Sequence, residues 1–274
     1  MLKKLLKYDL RAVFRFWWIV ALISVGMAVL GGFAQEILYN DDAPRVINVV
    51  ASVIVFFSYF CSMGLAVLTQ VLLFIRFYRN FFTDEGYLTF TLPVKREMLL
   101  NSKVLTGFIA MAAVAAMCVL NLSIIFAIPE YEIFRSGEFF RGIQEGMREI
   151  PDHLVGPLLT IGIEALVIAA LVLLLSVLFL YCCITFGSMI VKKGKLFASI
   201  GMYYGIGSAV TSTMQLILVL SVGSISVWME PISEWQAPTI VTLILLAVIL
   251  FLAALCALIY AFTHWMLGRK LNLS

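Results

Sequence analysis

Six stretches of this sequence contain no charged residue, and the shortest of them is 20 residues long. A helix needs about 20 residues to cross the hydrocarbon core of a membrane, which is roughly 30 Å thick. Each stretch is therefore long enough to span a membrane, and no other feature limits the fold so strongly. The uncharged stretches are 16–35, 46–75, 104–129, 165–191, 196–229 and 235–268.

The composition favours spanning helices over spanning strands. Hydrophobic residues make up 63% of the 274 positions and charged residues only 13%, whereas soluble domains carry roughly 25% charged residues. The stretches are apolar on every side, while barrel strands alternate in polarity over ~10 residues. A helix also satisfies its backbone hydrogen bonds internally, as lipid requires. We therefore expect an all-α polytopic membrane protein with six transmembrane helices. The expected spans are about 16–35, 46–77, 104–128, 157–191, 196–228 and 239–266.

The distribution of basic residues predicts the orientation of the chain. Six spans place both termini on one side, and the segments on that side contain fifteen of the 19 Lys and Arg residues with four acidic residues. The opposite segments contain four basic and eleven acidic residues. Because an excess of Lys and Arg marks cytoplasmic loops, we expect both termini in the cytoplasm. These counts give net charges of +11 inside and −7 outside. A basic rim of this kind attracts anionic lipid headgroups, so we expect membrane lipids and no nucleic acid as partners.

Two segments outside the spans have the periodicity of amphipathic helices. Residues 1–15 place leucines on one helical stripe and five cations on the other, which predicts an elbow helix in the inner membrane interface. This helix either anchors the chain in the membrane only or also contacts a cytoplasmic partner. The outer loop 129–156 predicts a short amphipathic helix that either covers the ends of the spans or caps an exit path.

Sequence motifs for ATP hydrolysis and metalloproteolysis are missing. The chain lacks Gly-x-x-x-x-Gly-Lys-[Ser/Thr], the loop whose amides bind phosphates, and Gly194-Lys195 is followed by Leu196. It also lacks His-Glu-x-x-His, and its two histidines and five cysteines have no metal-ligand spacing. We therefore expect a protein that is not an enzyme and that binds no metal or cofactor itself.

Glu164 is the only acidic residue within an expected span. A charge at the membrane centre costs roughly 2.5–3.5 kcal/mol on insertion scales, so such residues usually have a function. Glu164 is a candidate intramembrane polar site for a proton or a substrate, or it lies at the outer interface if the embedded part of its span is the later one. Gln70 and Asn121 are expected to form hydrogen bonds between helices.

The segment 78–103, between the second and third spans, is expected to be folded. Thr83-Asp84-Glu85-Gly86 predicts a helix start or a turn, and Thr91-Leu92-Pro93 predicts a second helix start. Together they predict a short helix across the cytoplasmic face of the membrane. The segment also has five aromatic residues, which fit either the interfacial belt or the groove of a partner protein.

This segment resembles the coupling loop of a known transporter family. The elements that carry the resemblance are Arg76-Phe77-Tyr78-Arg79-Asn80, Asp84-Glu85-Gly86-Tyr87-Leu88, Leu92-Pro93-Val94 and Ser102-Lys103. They are similar to the membrane subunits of bacterial ABC exporters of the type-2 permease class, in which this loop forms a coupling helix that fits a cleft in the ATPase subunit. The ATPase-coupling residues that the resemblance implies are Phe81, Phe82, Thr83, Asp84, Glu85, Gly86, Tyr87, Leu88, Leu92, Pro93, Lys95 and Arg96.

The resemblance implies a multi-pass subunit of the bacterial cell membrane that pairs with a second permease half, either identical or a paralogue. Two copies of a cytoplasmic ABC ATPase subunit would bind ATP and Mg²⁺ and drive efflux of a peptide, a lipid-linked molecule or a drug. The family's outer re-entrant helices lie between the last two spans, whereas this chain has only the short loop 229–238 there. The alternatives are a non-transporting assembly or sensor subunit and an ion-coupled secondary transporter that uses Glu164.

Overall fold

A computed structural model describes residues 2–39, 43–83, 96–131, 136–149, 151–190, 197–210, 212 and 237–270. Its helices are α1 (Leu2–Leu38), α2 (Arg45–Phe82), α3 (Arg96–Ala127), α4 (Glu138–Glu149), α5 (Asp152–Ile190) and α6 (Ala237–Lys270). Residues 197–210 are helical as well, and the described part of the chain contains no strand, which confirms the all-α prediction.

Five helices are long and apolar enough to cross a membrane, and they give the chain the character of a multi-pass membrane protein. They are Lys3–Leu38, Arg45–Phe82, Glu97–Ala127, Leu154–Ile190 and Thr239–Gly268. Of the further expected span, 196–228, the described residues include the helical segment 197–210, and most of the remainder lies outside them. The count of six spans and the cytoplasmic position of the termini therefore stay predictions.

Helix α1 differs from the expected elbow helix over residues 1–15, because it continues without a break into the first span. The sequence has neither glycine nor proline before Gly26 to interrupt the helix. Asp9, Val13 and Trp17 are all buried, so one packed face passes through the junction near residue 15. The first turns of α1 are therefore packed against other helices and continue into the first candidate span as one helix, while their position in the membrane interface stays a prediction.

Three other helices also extend beyond the expected spans. Helix α2 continues to Phe82, α3 begins at Arg96, and α5 begins at Asp152. The spans were placed from the positions of charges, but a helix continues past a charged residue when its other face is still packed. Phe81 near the end of α2 and Leu100 near the start of α3 are both buried. Both ends of the segment 78–103 therefore belong to the long helices, and the predicted outer loop 129–156 contains α4 and the start of α5.

The chain divides into two compact units, of which unit 1 comprises Met1–Ile75 and Asn101–Ile150. Within unit 1, α1 contacts α3 at successive pairs whose numbers rise together: Asp9 with Ser102, and Ser24 with Asn121. The contact of Trp17 with residue 69 of α2 is followed by that of Gly31 with residue 58. Partner numbers thus rise along α3 and fall along α2, so α1 is parallel to α3 and antiparallel to α2.

Unit 2 comprises Arg76–Leu100 and Pro151–Ser274, and α5 packs along α6 within it. A close helix–backbone approach occurs at Gly187, where a Cβ atom would lie 2.6 Å from the backbone Cα of Ser199. No real Cβ contact is that short, so only glycine allows α5 to approach the helical segment 197–210 this closely. Small residues serve the same purpose at helix crossings in membranes generally.

We expect Gly187→Ala to destabilise the protein, because its Cβ would meet backbone, which cannot rotate away. Overpacking of this kind costs typically about 1–3 kcal/mol. The matched control is Gly162→Ala on the same helix, where nothing lies within 4 Å of the added Cβ. Thermal unfolding in detergent should show a lower midpoint for Gly187→Ala and an unchanged or higher one for Gly162→Ala. Equal midpoints for the two variants would contradict the close approach.

Candidate functional site

The predicted coupling residues fall on two helix ends and on the segment between them. Phe81 and Phe82 form the end of α2, Thr83 follows directly, and Arg96 is the first residue of α3. The other predicted coupling residues lie outside the described part of the chain: Asp84, Glu85, Gly86, Tyr87, Leu88, Leu92, Pro93 and Lys95. Residues 84–95 therefore lie in the sequence between the ends of two long helices.

The end of α2 is held by aromatic stacking within unit 2. The ring of Phe77 lies parallel to that of Tyr181 on α5, with centroids 4.0 Å apart and an interplanar angle of 9°. Phe81 lies 4.8 Å from Phe77, and both side chains are buried, with exposed fractions of 5% and 1%. Phe81 is thus covered by this chain, which favours a packing role over insertion into a partner's groove.

The residues that follow Phe81 remain accessible. Phe82 is half-buried and its ring stacks on that of Tyr78 at 6.0 Å. The hydroxyl of Thr83 donates a hydrogen bond to the carbonyl of Arg79 at 2.6 Å and so satisfies an acceptor in the last turn of α2. Of the coupling residues on α2, Phe82 is the better candidate for contact with another protein.

The start of α3 is held by a charged cluster within unit 1. Lys103 donates to Oδ1 of Asp9 at 2.6 Å, and the hydroxyl of Ser102 donates to Oδ2 of Asp9 at 3.1 Å. Asp9 is buried, and the Lys103 side chain is mostly buried too. The sequence analysis did not single out Asp9. The sequence did contain an indication that Asp9 is buried, because Asp9 lies four residues before Val13 and eight before Trp17, on the apolar stripe of a basic segment.

A second group of polar contacts lies deeper in unit 1. The amide of Asn121 donates to the hydroxyls of Ser24 and Ser62, both at 3.2 Å, and links α3 to α1 and α2. The indole of Trp17 donates to the hydroxyl of Thr69 at 3.1 Å. The predicted interhelical hydrogen bonding of Asn121 is confirmed. In hydrocarbon such bonds hold helices together where apolar contact alone offers little preference.

Glu164 lies on the packed face of α5 in unit 2. It shares this face with Ile161 and Leu171, and the carbonyl of Leu171 accepts a contact from the thiol of Cys256 on α6 at 3.8 Å. The Glu164 side chain is half-buried. Its Oε2 atom is fully enclosed and makes no hydrogen bond to any described residue. The carboxyl group therefore has one enclosed oxygen without a partner in the described structure.

No protein-family model, curated protein or solved structure matches this chain. The function is therefore inferred from the residues and contacts above.

We expect Asp9→Ala to destabilise the chain strongly, because it leaves the Lys103 ammonium buried without its carboxylate. Removal of one partner from a buried ion pair costs about 3–5 kcal/mol. The double variant Asp9→Leu with Lys103→Met should recover much of that loss, since it removes both charges. A double-mutant cycle of thermal midpoints in detergent measures the coupling. Additive effects of the two single changes would argue against a direct pair.

Proposed function

We propose that this chain is the membrane permease subunit of an ATP-driven exporter in a bacterial cell membrane, powered by a separate ATPase subunit. One observation carries the proposal beyond the resemblance of segment 84–95 to a coupling helix. Helix α2 ends at Phe82 and α3 begins at Arg96, on either side of this segment, and the adjoining end of each helix is held by a specific contact. A segment mounted in this way can pass force to the membrane helices.

The contacts that hold the two helix ends differ in chemistry and in the helix to which they connect. On one side, the stack of Phe77 on Tyr181 connects the end of α2 to α5. On the other side, the pair of Lys103 with Asp9 connects the start of α3 to α1. A displacement of segment 84–95 would therefore act on α5 through ring packing and on α1 through a buried ion pair.

In the proposed mechanism, the ATPase subunits bind ATP and Mg²⁺, close on each other and displace the coupling segments of two permease halves. The displacement rocks the spans and opens the interface between the halves outward. The chain itself contributes the coupling segment, the mounted helix ends and the path for an amphipathic cargo. All phosphate chemistry takes place on the partner subunit.

The second candidate function is an ion-coupled secondary transporter, and only Glu164 favours it. Its enclosed oxygen, which has no partner among the described residues, is the kind of group that proton and cation pathways use within membranes. This function needs no ATPase and gives no role to segment 84–95 between α2 and α3. We therefore prefer the exporter.

We expect an ATPase chain to co-purify with this protein in a fixed ratio. Glu85→Arg and Tyr87→Ala should each lower that ratio at least about tenfold, because each removes a residue from the centre of the proposed interface. The matched control is Glu145→Arg, the same charge reversal on exposed α4. Quantitative mass spectrometry of the purified complexes measures the ratio, and size-exclusion chromatography checks that each variant is folded. Absence of an ATPase from the wild-type complex, or an unchanged ratio in both variants, would exclude the proposal.

A further inference from the structure

The carboxyl group of Glu164 has an unusual setting for an acidic side chain. It lies within the candidate span Leu154–Ile190, and its enclosed Oε2 atom has no hydrogen-bond partner in the described structure. An ionised carboxylate in an apolar medium must either take up a proton or pair with a cation. The described residues provide no cation for Glu164, so a proton or a cation from outside these residues has to neutralise the carboxylate.

Contacts within unit 2 indicate how deep Glu164 lies. Phe77, which stacks on Tyr181, is flanked in sequence by Arg76 and Arg79, and such cations mark the membrane boundary. From Tyr181 back to Glu164 is 17 residues of continuous helix, about 25 Å at ~1.5 Å per residue. This is less than the roughly 30 Å of the hydrocarbon core. Glu164 therefore lies near the outer edge of the hydrocarbon, in the half remote from Arg76.

Apolar side chains beside Glu164 are exposed on the surface of the described structure. Ile163 and Leu166 have exposed fractions of 61% and 72%, and Val167 is also exposed. Glu164 itself is only half-buried, and the terminal torsion of a glutamate rotates broadly. A molecule that arrives from the lipid can therefore lay an apolar body on these side chains and bring a charged group to the carboxylate.

We propose that Glu164 binds the cationic group of the exported molecule, and that the cargo is a cationic amphiphile. This inference rests on the proposed exporter function and narrows its cargo. The apolar body contacts Ile163 and Val167 within the bilayer, and the ammonium or other cationic group forms an ion pair with Glu164. An anionic or strongly polar cargo fits neither the carboxylate nor its apolar surroundings.

The charge of the outer segments agrees with a cationic cargo. With the orientation expected from the basic residues, these segments hold eleven acidic and four basic residues. Glu164 lies in the half of the hydrocarbon that faces them. A cation that leaves Glu164 therefore moves toward a region of net negative charge, and an anion would be repelled at both places.

The test uses tetraphenylphosphonium, a lipophilic cation, and tetraphenylborate, an anion of nearly the same size and shape. The purified full-length chain is placed in nanodiscs of phosphatidylcholine and phosphatidylglycerol without any ATPase, and saturable binding is measured above that of empty nanodiscs. The two ions are measured in separate samples, because together they form an insoluble salt. We expect tetraphenylphosphonium to bind saturably and tetraphenylborate not to bind. Equal saturable binding of tetraphenylborate would overturn the proposal.

Three variants distinguish loss of the Glu164 carboxylate from general effects on folding. Glu164→Gln should weaken tetraphenylphosphonium binding at least about tenfold, since it removes one partner of a desolvated ion pair. Glu164→Asp keeps the charge and should bind with intermediate affinity. Thr160→Val is the matched control, because the Thr160 hydroxyl is one turn away and bonds only to its own helix at Pro157, at 2.7 Å. Equal binding by wild type and Glu164→Gln would overturn the proposal.

A chemical readout covers the case in which Glu164→Gln does not fold. Dicyclohexylcarbodiimide forms an adduct with carboxyl groups in apolar surroundings, and mass spectrometry measures the modified fraction of Glu164 in the wild-type chain. Tetraphenylphosphonium should protect Glu164, whereas replacement of choline chloride by sodium chloride should have no effect. Protection by sodium alone would overturn the proposal and favour ion coupling. Neither readout involves an ATPase, so a failure here is distinct from a failure of the co-purification experiment.

Discussion

The hydrocarbon layer has no water to compete for hydrogen bonds, and this constraint governs which side chains hold the helices of this protein together. Burial of apolar surface gives little preference for one helix partner over lipid. The direction and register in which the helices pack must therefore be set by the few polar side chains and by glycines. In unit 1, Asn121 joins three helices through two serine hydroxyls, and Gly31 leaves room for Ser58. These few contacts thus specify how the helices of unit 1 pack, because their remaining apolar surface would contact lipid equally well.

At the helix ends that flank segment 84–95, different interactions hold the helices. Helix α2 ends in stacked aromatic rings, and α3 begins at a buried ion pair whose burial would be too costly without both charges. Helices α1, α2 and α5 have 37, 38 and 39 residues, which at ~1.5 Å per residue is nearly twice the hydrocarbon thickness. Their extra length carries the specific contacts, and these lie where a cytoplasmic partner is proposed to act.

The sequence predicted features that depend on local composition. Uncharged stretches identified the membrane helices, and a polar residue within a span identified Asn121 as an interhelical contact. Features that depend on distant residues could not be read in this way. The continuity of α1 past residue 15 follows from packing against other helices, and Asp9 became significant only with Lys103 beside it. Phe81 looked available to a partner because a sequence does not show that Phe81 packs on Phe77, which in turn stacks on Tyr181.

The ion pair between α1 and α3 also has a consequence for biosynthesis. Asp9 and Lys103 are 94 residues apart, so at roughly 5–20 residues per second the ribosome needs about 5–20 s to deliver the lysine after the aspartate. Asn121 follows Ser24 by 97 residues and imposes a similar delay. During this interval the nascent first helix has an acidic group and a serine without their eventual partners. The interhelical contacts of Asp9 and Ser24 on α1 are therefore complete only after α3 has been synthesised. A chain that stops before α3 leaves the Asp9 carboxylate without Lys103, where the quality-control machinery of the membrane can detect it.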